Sequence, residues 1–150
     1  MKIRIIAVGK LKESYWREAA AEYIKRLSPF AAADITEVGE GRGSVSEILR
    51  EEGRRILPIL KGYTVLLDIK GEAMSSEKFA DFVAARQISG VSEITFVIGG
   101  SHGVCRELVD NADFRLSFSE FTFPHQMMRV ILLEQTYRAF MINAGREYHK

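Results

Sequence analysis

The sequence has few of the residues that specialised proteins depend on. It contains a single cysteine, Cys105, which excludes an internal disulfide framework and a cysteine-rich zinc site; we expect it to be a small buried residue. Its three prolines and its 47% content of hydrophobic residues do not match the composition of disordered chains. No apolar run approaches the roughly 20 residues that a membrane span requires, so we expect no membrane association.

Several functional signatures are also missing. No H-E-x-x-H or paired-cysteine pattern occurs, and we therefore predict no metal site. The absence of a G-x-S-x-G nucleophile elbow disfavours a serine hydrolase. The chain starts with a strand-like segment rather than an apolar leader, so we expect a cytoplasmic protein.

The sequence also lacks a large excess of positive or negative charge. The net charge of +1 gives no global field that would attract nucleic acid. Basic residues do gather locally near the start of the chain, at Lys10, Lys12, Arg17 and Lys25. A solvated surface is the simpler interpretation of this cluster, and contact with nucleic acid is the alternative.

Strand-like and helix-like segments alternate along the whole chain. Residues 2–8 and 63–69 are nearly continuous in apolar side chains, as in strands buried on both faces. Ser14, in contrast, is a favourable helix N-cap, and the segment after it has apolar residues at helical spacing. We expect Ser44 with Glu47, and Ser75 or Ser76, to cap two further helices. Five such strands and five helices predict one α/β domain over residues 1–150, with a mostly parallel sheet of five to six strands between helices.

Three irregular segments follow the third, fourth and fifth predicted strands, at 67–71, 98–103 and 117–129. The carboxyl ends of parallel strands meet at one sheet edge, where ligands bind in folds of this type. The glycines of 98–103 lack the G-x-G-x-x-G spacing, but they permit close approach to main-chain groups, as an adenine or a methionine moiety would need. The segments together predict a small-molecule site, with 117–129 as its aromatic wall.

Two groups of residues near the end of the chain have open roles. His125 and Arg129 are four apart and lie on one face of the last helix. They either face a substrate, or His125 bonds to backbone while Arg129 pairs with Glu120 or Glu134. The segment 148–150 is either a frayed end or a group that stacks on a base and holds phosphate.

The last predicted helix is apolar around most of its circumference. One sheet face cannot cover all of these side chains, so we predict a homodimer built on this helix. A deeply buried helix in a monomer is the alternative.

Several motifs together resemble the RlmH family. They are Ile5-Ile6-Ala7-Val8-Gly9-Lys10-Leu11-Lys12, Leu66-Leu67-Asp68-Ile69-Lys70-Gly71, Phe96-Val97-Ile98-Gly99-Gly100, Leu116-Ser117-Phe118-Ser119 with Thr122-Phe123-Pro124-His125, and Tyr148-His149-Lys150. The resemblance covers the whole chain in order. It implies a SPOUT fold with a C-terminal trefoil knot. The implied activity is S-adenosyl-L-methionine-dependent methylation of N3 of a pseudouridine in 23S rRNA, by a homodimer acting on the assembled ribosome.

The resemblance also implies roles for individual residues. The methyl donor would contact Leu67, Gly99, Phe118, Ser119, Glu120, Phe121, Thr122 and Phe123. His125 and Arg129 would support the knot and the pocket, and Tyr148 and His149 would close over the substrate base, with His149 a candidate base. Two alternatives are a SPOUT methyltransferase that acts on tRNA and a dimeric nucleotide-binding module without catalysis.

Overall fold

The computed structural model describes residues 1–150 and contains five strands and five helices in alternation. They are β1 (Lys2–Val8), α1 (Ser14–Leu27), β2 (Ala32–Val38), α2 (Val45–Ile56), β3 (Tyr63–Ala73), α3 (Ser76–Ile88), β4 (Glu93–Ile98), α4 (Arg106–Asn111), β5 (Phe114–Ser117) and α5 (His125–Asn143). A short 3-10 turn, Leu57–Ile59, follows α2. None of the helices is both long enough and apolar enough to cross a membrane.

The five strands form one sheet in the order β2-β1-β4-β3-β5. All neighbouring strands pair in parallel, so their carboxyl ends lie at the same edge. The predicted α/β class and the mostly parallel sheet are confirmed. The trefoil knot stays a prediction.

Strand β1, which lies between β2 and β4, shows why the sheet is covered on both faces. Successive side chains of a strand point to opposite faces, and both sets of β1 side chains are buried. Ile3 and Ile5 belong to a core cluster with residues of α1, α3 and α5. Ile6 and Val8 belong to a second cluster with residues of α2 and α4. Burial of each large aliphatic side chain stabilises the fold by about 1.5–3 kcal/mol.

The N-cap residues in the sequence predicted most of the helix starts correctly. Ser44 and Ser75 cap α2 and α3 as predicted, and each hydroxyl oxygen accepts a hydrogen bond from a backbone N–H in the first turn. The predicted cap at Ser14 is wrong by one residue, because Ser14 is itself helical and Glu13 precedes it. The helix α2 ends at Ile56, and Pro58 lies in the following 3-10 turn.

Strand β3 is longer than predicted because it pairs with β5 in two registers. Leu116 of β5 is the partner of Leu67 and again of Glu72. The four residues between them leave the ladder and project at the carboxyl edge of the sheet. Gly71 is required there, since a Cβ atom at this position would lie 2.5 Å from the carbonyl oxygen of Arg115. This excursion forms one wall of the site.

Candidate functional site

A cleft of about 690 Å³ opens at the carboxyl edge of the sheet. The excursion within β3 and the loops after β4 and β5 form its walls. These are the three segments that the sequence predicted, although the first lies within a strand rather than after it. Its lining residues are Leu67, Asp68, Ile69, Lys70, Ile98, Gly99, Gly100, Ser101, His102, Gly103, Val104, Arg106, Val109, Arg115, Leu116, Phe118, Ser119, Phe121, Thr122, Phe123, His125 and Met128. This volume lies in the range typical of small-molecule sites, about 300–1,000 Å³.

The β3 wall contains an ion pair between Asp68 and Arg115. The carboxylate of Asp68 accepts two hydrogen bonds from Arg115, at 2.6 and 3.0 Å, and one from the backbone N–H of Lys70 at 2.9 Å. Partial burial alone would raise the pKa of Asp68, but the bonds from Lys70 and Arg115 outweigh it and the pKa is lowered. Asp68 is therefore ionised at neutral pH and already paired, and its main effect is to fix the shape of the excursion.

The β4 wall is a tight glycine turn. Gly100 and Gly103 pair across the turn. Gly103 adopts a φ of 83°, a conformation that glycine adopts readily and residues with a Cβ atom disfavour. Gly99 leaves no room for a side chain, since a Cβ atom there would lie 2.7 Å from Val104 Cγ1 and 2.8 Å from the Gly103 carbonyl oxygen. The turn thus presents main-chain groups to the cleft.

The β5 wall is aromatic. Phe118 and Phe123 pack against the main core, whereas Phe121 is 81% exposed at the mouth of the cleft. The hydroxyl oxygen of Ser119 accepts a hydrogen bond from the backbone N–H of Phe121 at 3.0 Å, which stabilises the turn. Phe121 therefore offers an exposed aromatic ring to a molecule bound in the cleft.

The structure brings together nearly all of the residues that we expected to contact a methyl donor. Leu67, Gly99 and the segment 118–123 line the cleft, except Glu120, which is exposed outside the lining. His125 lies in the lining as well, at the first turn of α5. Two histidines, His102 and His125, lie in the lining of the cleft.

Arg129 lies elsewhere, buried with 1% of its side chain exposed. Its guanidinium donates to the carbonyl oxygens of Val8 and Gly9, at 2.8 and 3.0 Å, and to Glu37 Oε1 at 3.2 Å. Burial lowers the pKa of Arg129, an effect that Glu37 opposes. The alternative pairing of Arg129 with Glu120 or Glu134 is wrong, because the end of β1 lies directly against this face of α5.

The C-terminal tail is folded back on its own chain. The Tyr148 hydroxyl donates to Glu134 Oε1 at 3.0 Å, and its ring lies edge-on to Tyr137 with centroids 4.9 Å apart. Burial, followed by hydrogen bonds to Tyr23 and Glu134, raises the pKa of Tyr148. The tail is thus held by specific contacts and is not the frayed end that the sequence left open.

Both ring nitrogens of His149 are engaged. Nδ1 lies 3.1 Å from Arg138 Nη1, and Nε2 lies 2.7 Å from Glu77 Oε1. Because a guanidinium can only donate, Nδ1 must accept, and the proton of the neutral ring is on Nε2. In this conformation His149 has no free lone pair, and neither it nor Tyr148 lines the cleft.

The surroundings of α5 agree with its apolar sequence. Every residue from His125 to Ile142 is buried or half-buried, with α1 and α3 packed on either side. Val130, Ile131 and Tyr137 keep part of their apolar surface accessible. The prediction of a helix buried on several sides is confirmed.

A second cavity of about 270 Å³ lies between α5 and the start of α3. It shares Leu116, Phe118 and Phe123 with the cleft. Its polar edge is formed by the Ser76 hydroxyl, which donates to Gln135 Oε1 at 2.7 Å. The aromatic wall therefore separates two neighbouring spaces.

Sequence reasoning missed the cationic side of the cleft. Arg106 and Arg115 line it together with Lys70. A charged residue inside the short apolar strand β5 was the one available signal for Arg115. No group of three His, Cys, Asp or Glu side chains is arranged to hold a metal ion.

Comparisons with known proteins agree with this architecture. A family model described as a predicted SPOUT methyltransferase matches residues 1–149. A relative from Carboxydothermus hydrogenoformans, "Ribosomal RNA large subunit methyltransferase H", is 46% identical over 159 residues, with all of both chains covered.

Solved structures share the fold at low sequence identity. A probable methylase family protein from Haemophilus influenzae is 13% identical with a TM-score of 0.59, covering 99% of this chain and 70% of that one. The tRNA (m1G37) methyltransferase of Aquifex aeolicus is 11% identical with a TM-score of 0.52, covering 92% and 70%. On the full-length family match and the close relative, this chain belongs to the SPOUT methyltransferases, within the RlmH family.

Proposed function

We propose that this protein transfers the methyl group of S-adenosyl-L-methionine to N3 of a pseudouridine in 23S rRNA. The observation that carries the proposal is the three-walled cleft, whose walls are formed by the segments that resemble the family's donor-binding motifs. The relative that matches the whole chain is named a methyltransferase of large-subunit ribosomal RNA. Because both the cleft segments and the full length of the chain match this family, we infer that the protein catalyses the same reaction.

The cleft suits the proposed donor. Its apolar residues, among them Leu67, Ile98 and Met128, provide contact for a flat adenine ring, and the glycine turn allows main-chain groups to reach its edge. Lys70 and Arg106 at the polar side complement the carboxylate of a methionine moiety. The residues present therefore fit S-adenosyl-L-methionine.

The reaction requires alignment and removal of one proton. Bound S-adenosyl-L-methionine would supply an electrophilic methyl group on a sulfonium, with S-adenosylhomocysteine as the leaving group when the methyl–sulfur bond breaks. N3 of the base must give up its proton as the N3–methyl bond forms. The chain's residues position both partners, which can supply much of the rate acceleration. A general base contributes roughly a hundredfold or more, and we propose His125 or His149 for this role.

The two histidines lie far apart within one chain. Glu134, to which the tail is bonded, lies nine positions after His125 in α5, which corresponds to roughly 14 Å at the helical rise per residue. The tail in its present position does not cover the cleft of its own chain. For Tyr148 and His149 to close over a substrate base, the tail must leave Glu134 and Glu77, or reach the cleft of a second copy.

We propose that the active form is a homodimer through α5. The support is the apolar surface that Val130, Ile131 and Tyr137 leave accessible on a helix otherwise surrounded by protein. Sedimentation at micromolar concentration is expected to give twice the chain mass of 17.0 kDa, and a monomer would contradict the proposal. We further propose a cytoplasmic location, where ribosomes are available as substrate.

Methyl transfer from radiolabelled S-adenosyl-L-methionine to large ribosomal subunits with unmethylated rRNA is the direct test. We expect label in 23S rRNA, mapped by mass spectrometry to N3 of one pseudouridine. His125→Ala and His149→Ala are compared in the same assay, with donor affinity and dimer mass measured for each. The variant that loses turnover while keeping both properties identifies the base, and no labelled rRNA from the wild type would refute the function.

Two other functions predict different results. A tRNA methyltransferase would label tRNA in preference to ribosomal subunits. A nucleotide-binding module would bind S-adenosylmethionine and S-adenosylhomocysteine without transferring a methyl group to any RNA. The relative that matches the full length of the chain at 46% identity is named an rRNA methyltransferase, which favours the proposal over both alternatives.

A further inference from the structure

The loop between β1 and α1 lies at the same sheet edge as the cleft but contributes nothing to its lining. Its link to the cleft is direct, because the backbone N–H of Lys12 donates to Gln126 Oε1 at 2.9 Å. Gln126 follows the cleft residue His125 in the first turn of α5. The loop is thus fixed beside the entrance to the site.

Three further contacts hold this loop in one conformation. Buried Arg129 donates to the carbonyl oxygens of Val8 and Gly9 from below. Glu37 Oε1 accepts from the backbone N–H of Leu11 at 2.9 Å. The Arg17 guanidinium donates to the carbonyl oxygens of Leu11 and Lys12, at 3.0 and 2.6 Å. A surface loop fixed from four sides is preorganised for binding, which lowers the entropic cost of association.

The side chains that this loop presents are cationic and free. Lys10 and Lys12 are exposed, and no carboxylate forms an ion pair with either. Glu13 is the neighbouring acid on the loop and Glu40 lies beside Gly9, yet neither neutralises the ammonium groups by direct contact. Two unpaired ammonium groups on a fixed backbone match the charge of a phosphate chain.

An exposed aromatic side chain follows these lysines in sequence, in the first turn of α1. Tyr15 is 58% exposed and lies edge-on to Trp16, with ring centroids 5.0 Å apart. Trp16 packs against the main core, so it supports the Tyr15 ring. Stacking on an aromatic ring beside cations is a common way for proteins to hold unpaired bases.

We propose that Lys10, Lys12 and Tyr15, here called the β1–α1 basic surface, bind the RNA substrate next to the cleft. The lysines contact phosphates, and the Tyr15 ring stacks on an unpaired base flanking the target nucleotide. This proposal rests on the proposed rRNA methyltransferase function. It assigns RNA contact to residues outside the donor cleft, in a protein whose net charge of +1 demands local cationic surfaces.

The test compares RNA binding of the wild type, Lys10→Gln/Lys12→Gln and Tyr15→Ala by fluorescence anisotropy with a labelled single-stranded rRNA fragment at 50–200 mM salt. Loss of two phosphate contacts is expected to lower the slope of log affinity against log salt concentration by about 1.4. The loss of affinity between the two salt concentrations should therefore be about sevenfold smaller in Lys10→Gln/Lys12→Gln than in the wild type. Tyr15→Ala is expected to weaken binding about fivefold or more, and Tyr15→Phe to restore it.

The matched control is Arg54→Gln/Lys61→Gln, which removes two exposed cations near the opposite edge of the sheet. It should retain the wild-type slope, and all variants should bind S-adenosylmethionine as the wild type does. An unchanged slope in Lys10→Gln/Lys12→Gln, or an equal change in the control, would overturn the proposal.

Methyl transfer to large subunits separates this proposal from the proposed function. If the wild type methylates rRNA and Lys10→Gln/Lys12→Gln has the same KM, the basic surface alone is refuted. A rise in KM with kcat retained supports it. If the variant loses affinity for intact subunits but not for naked rRNA, the surface contacts a ribosomal protein instead, which also overturns the proposal.

Discussion

Replacement of Arg129 by Met should destabilise the protein by about 3 kcal/mol. The change removes a buried cation that holds Glu37 and the carbonyl oxygens of Val8 and Gly9. Breaking a buried ion pair by removing one partner costs about 3–5 kcal/mol. The lower end applies because the Glu37 side chain is 33% exposed, so water can solvate the carboxylate that is left behind.

Urea unfolding followed by circular dichroism, at one fixed protein concentration, measures this loss. Arg129→Lys keeps the charge but not the planar fork and should lose about half as much. Arg106→Met is the control, since that side chain is 87% exposed and its removal should change the free energy of unfolding by less than about 0.5 kcal/mol.

The result also separates two roles for Arg129. A structural role predicts a lower unfolding free energy with methyl transfer per folded molecule largely kept at saturating RNA. The inference from these contacts is refuted if the free energy of unfolding of Arg129→Met is within about 1 kcal/mol of the wild-type value while its turnover falls more than about a hundredfold. Arg129 would then act in catalysis.

Three further outcomes are expected. Gly99→Ala should weaken S-adenosylmethionine binding at least tenfold in calorimetry, since its Cβ atom would displace the turn at Val104; unchanged affinity would contradict the tight-turn argument. The pKa of Glu77 is lowered from 4.5 to about 2, by its own backbone N–H, then by Ser75 and His149. Its ionised form therefore stabilises the fold above pH 4.5, a contribution lost as the pH falls towards 2; carbon-13 NMR should find the titration midpoint near 2, and a midpoint above 4 would contradict these contacts. In ultraviolet titration, Tyr148→Phe should remove phenolate absorbance that develops above the ordinary range of tyrosine, because the pKa of Tyr148 is raised by burial and by Tyr23 and Glu134. If the variant instead loses absorbance within the ordinary range of tyrosine, the contacts of Tyr148 are contradicted.

Local sequence signals were sufficient for most elements and for the walls of the cleft. Alternation of apolar segments predicted the strands, because a buried parallel strand leaves a continuous apolar run. Ser44 and Ser75 marked helix starts through hydrogen bonds that involve only neighbouring residues. The loops after β3, β4 and β5 were expected to meet because the edge of a parallel sheet brings them together.

Contacts between distant segments were not predictable in the same way. The partner of Arg129 is 92 residues away, and no spacing rule connects a helix position to the end of a strand that far along the chain. The attachment of His149 to Glu77, over 72 residues, has the same character. The long extension of β3 was missed because a polar segment with glycine looks like a loop until a second strand pairs with it.

The double pairing of Leu116 has a consequence for how the site can change. Because Leu67 and Glu72 are both tied to the same residue of β5, the four residues between them form a closed loop on a fixed base. Insertions or substitutions within this loop can reshape the cleft without moving either strand. Ligand specificity can therefore diverge at this loop while the sheet that carries it stays the same.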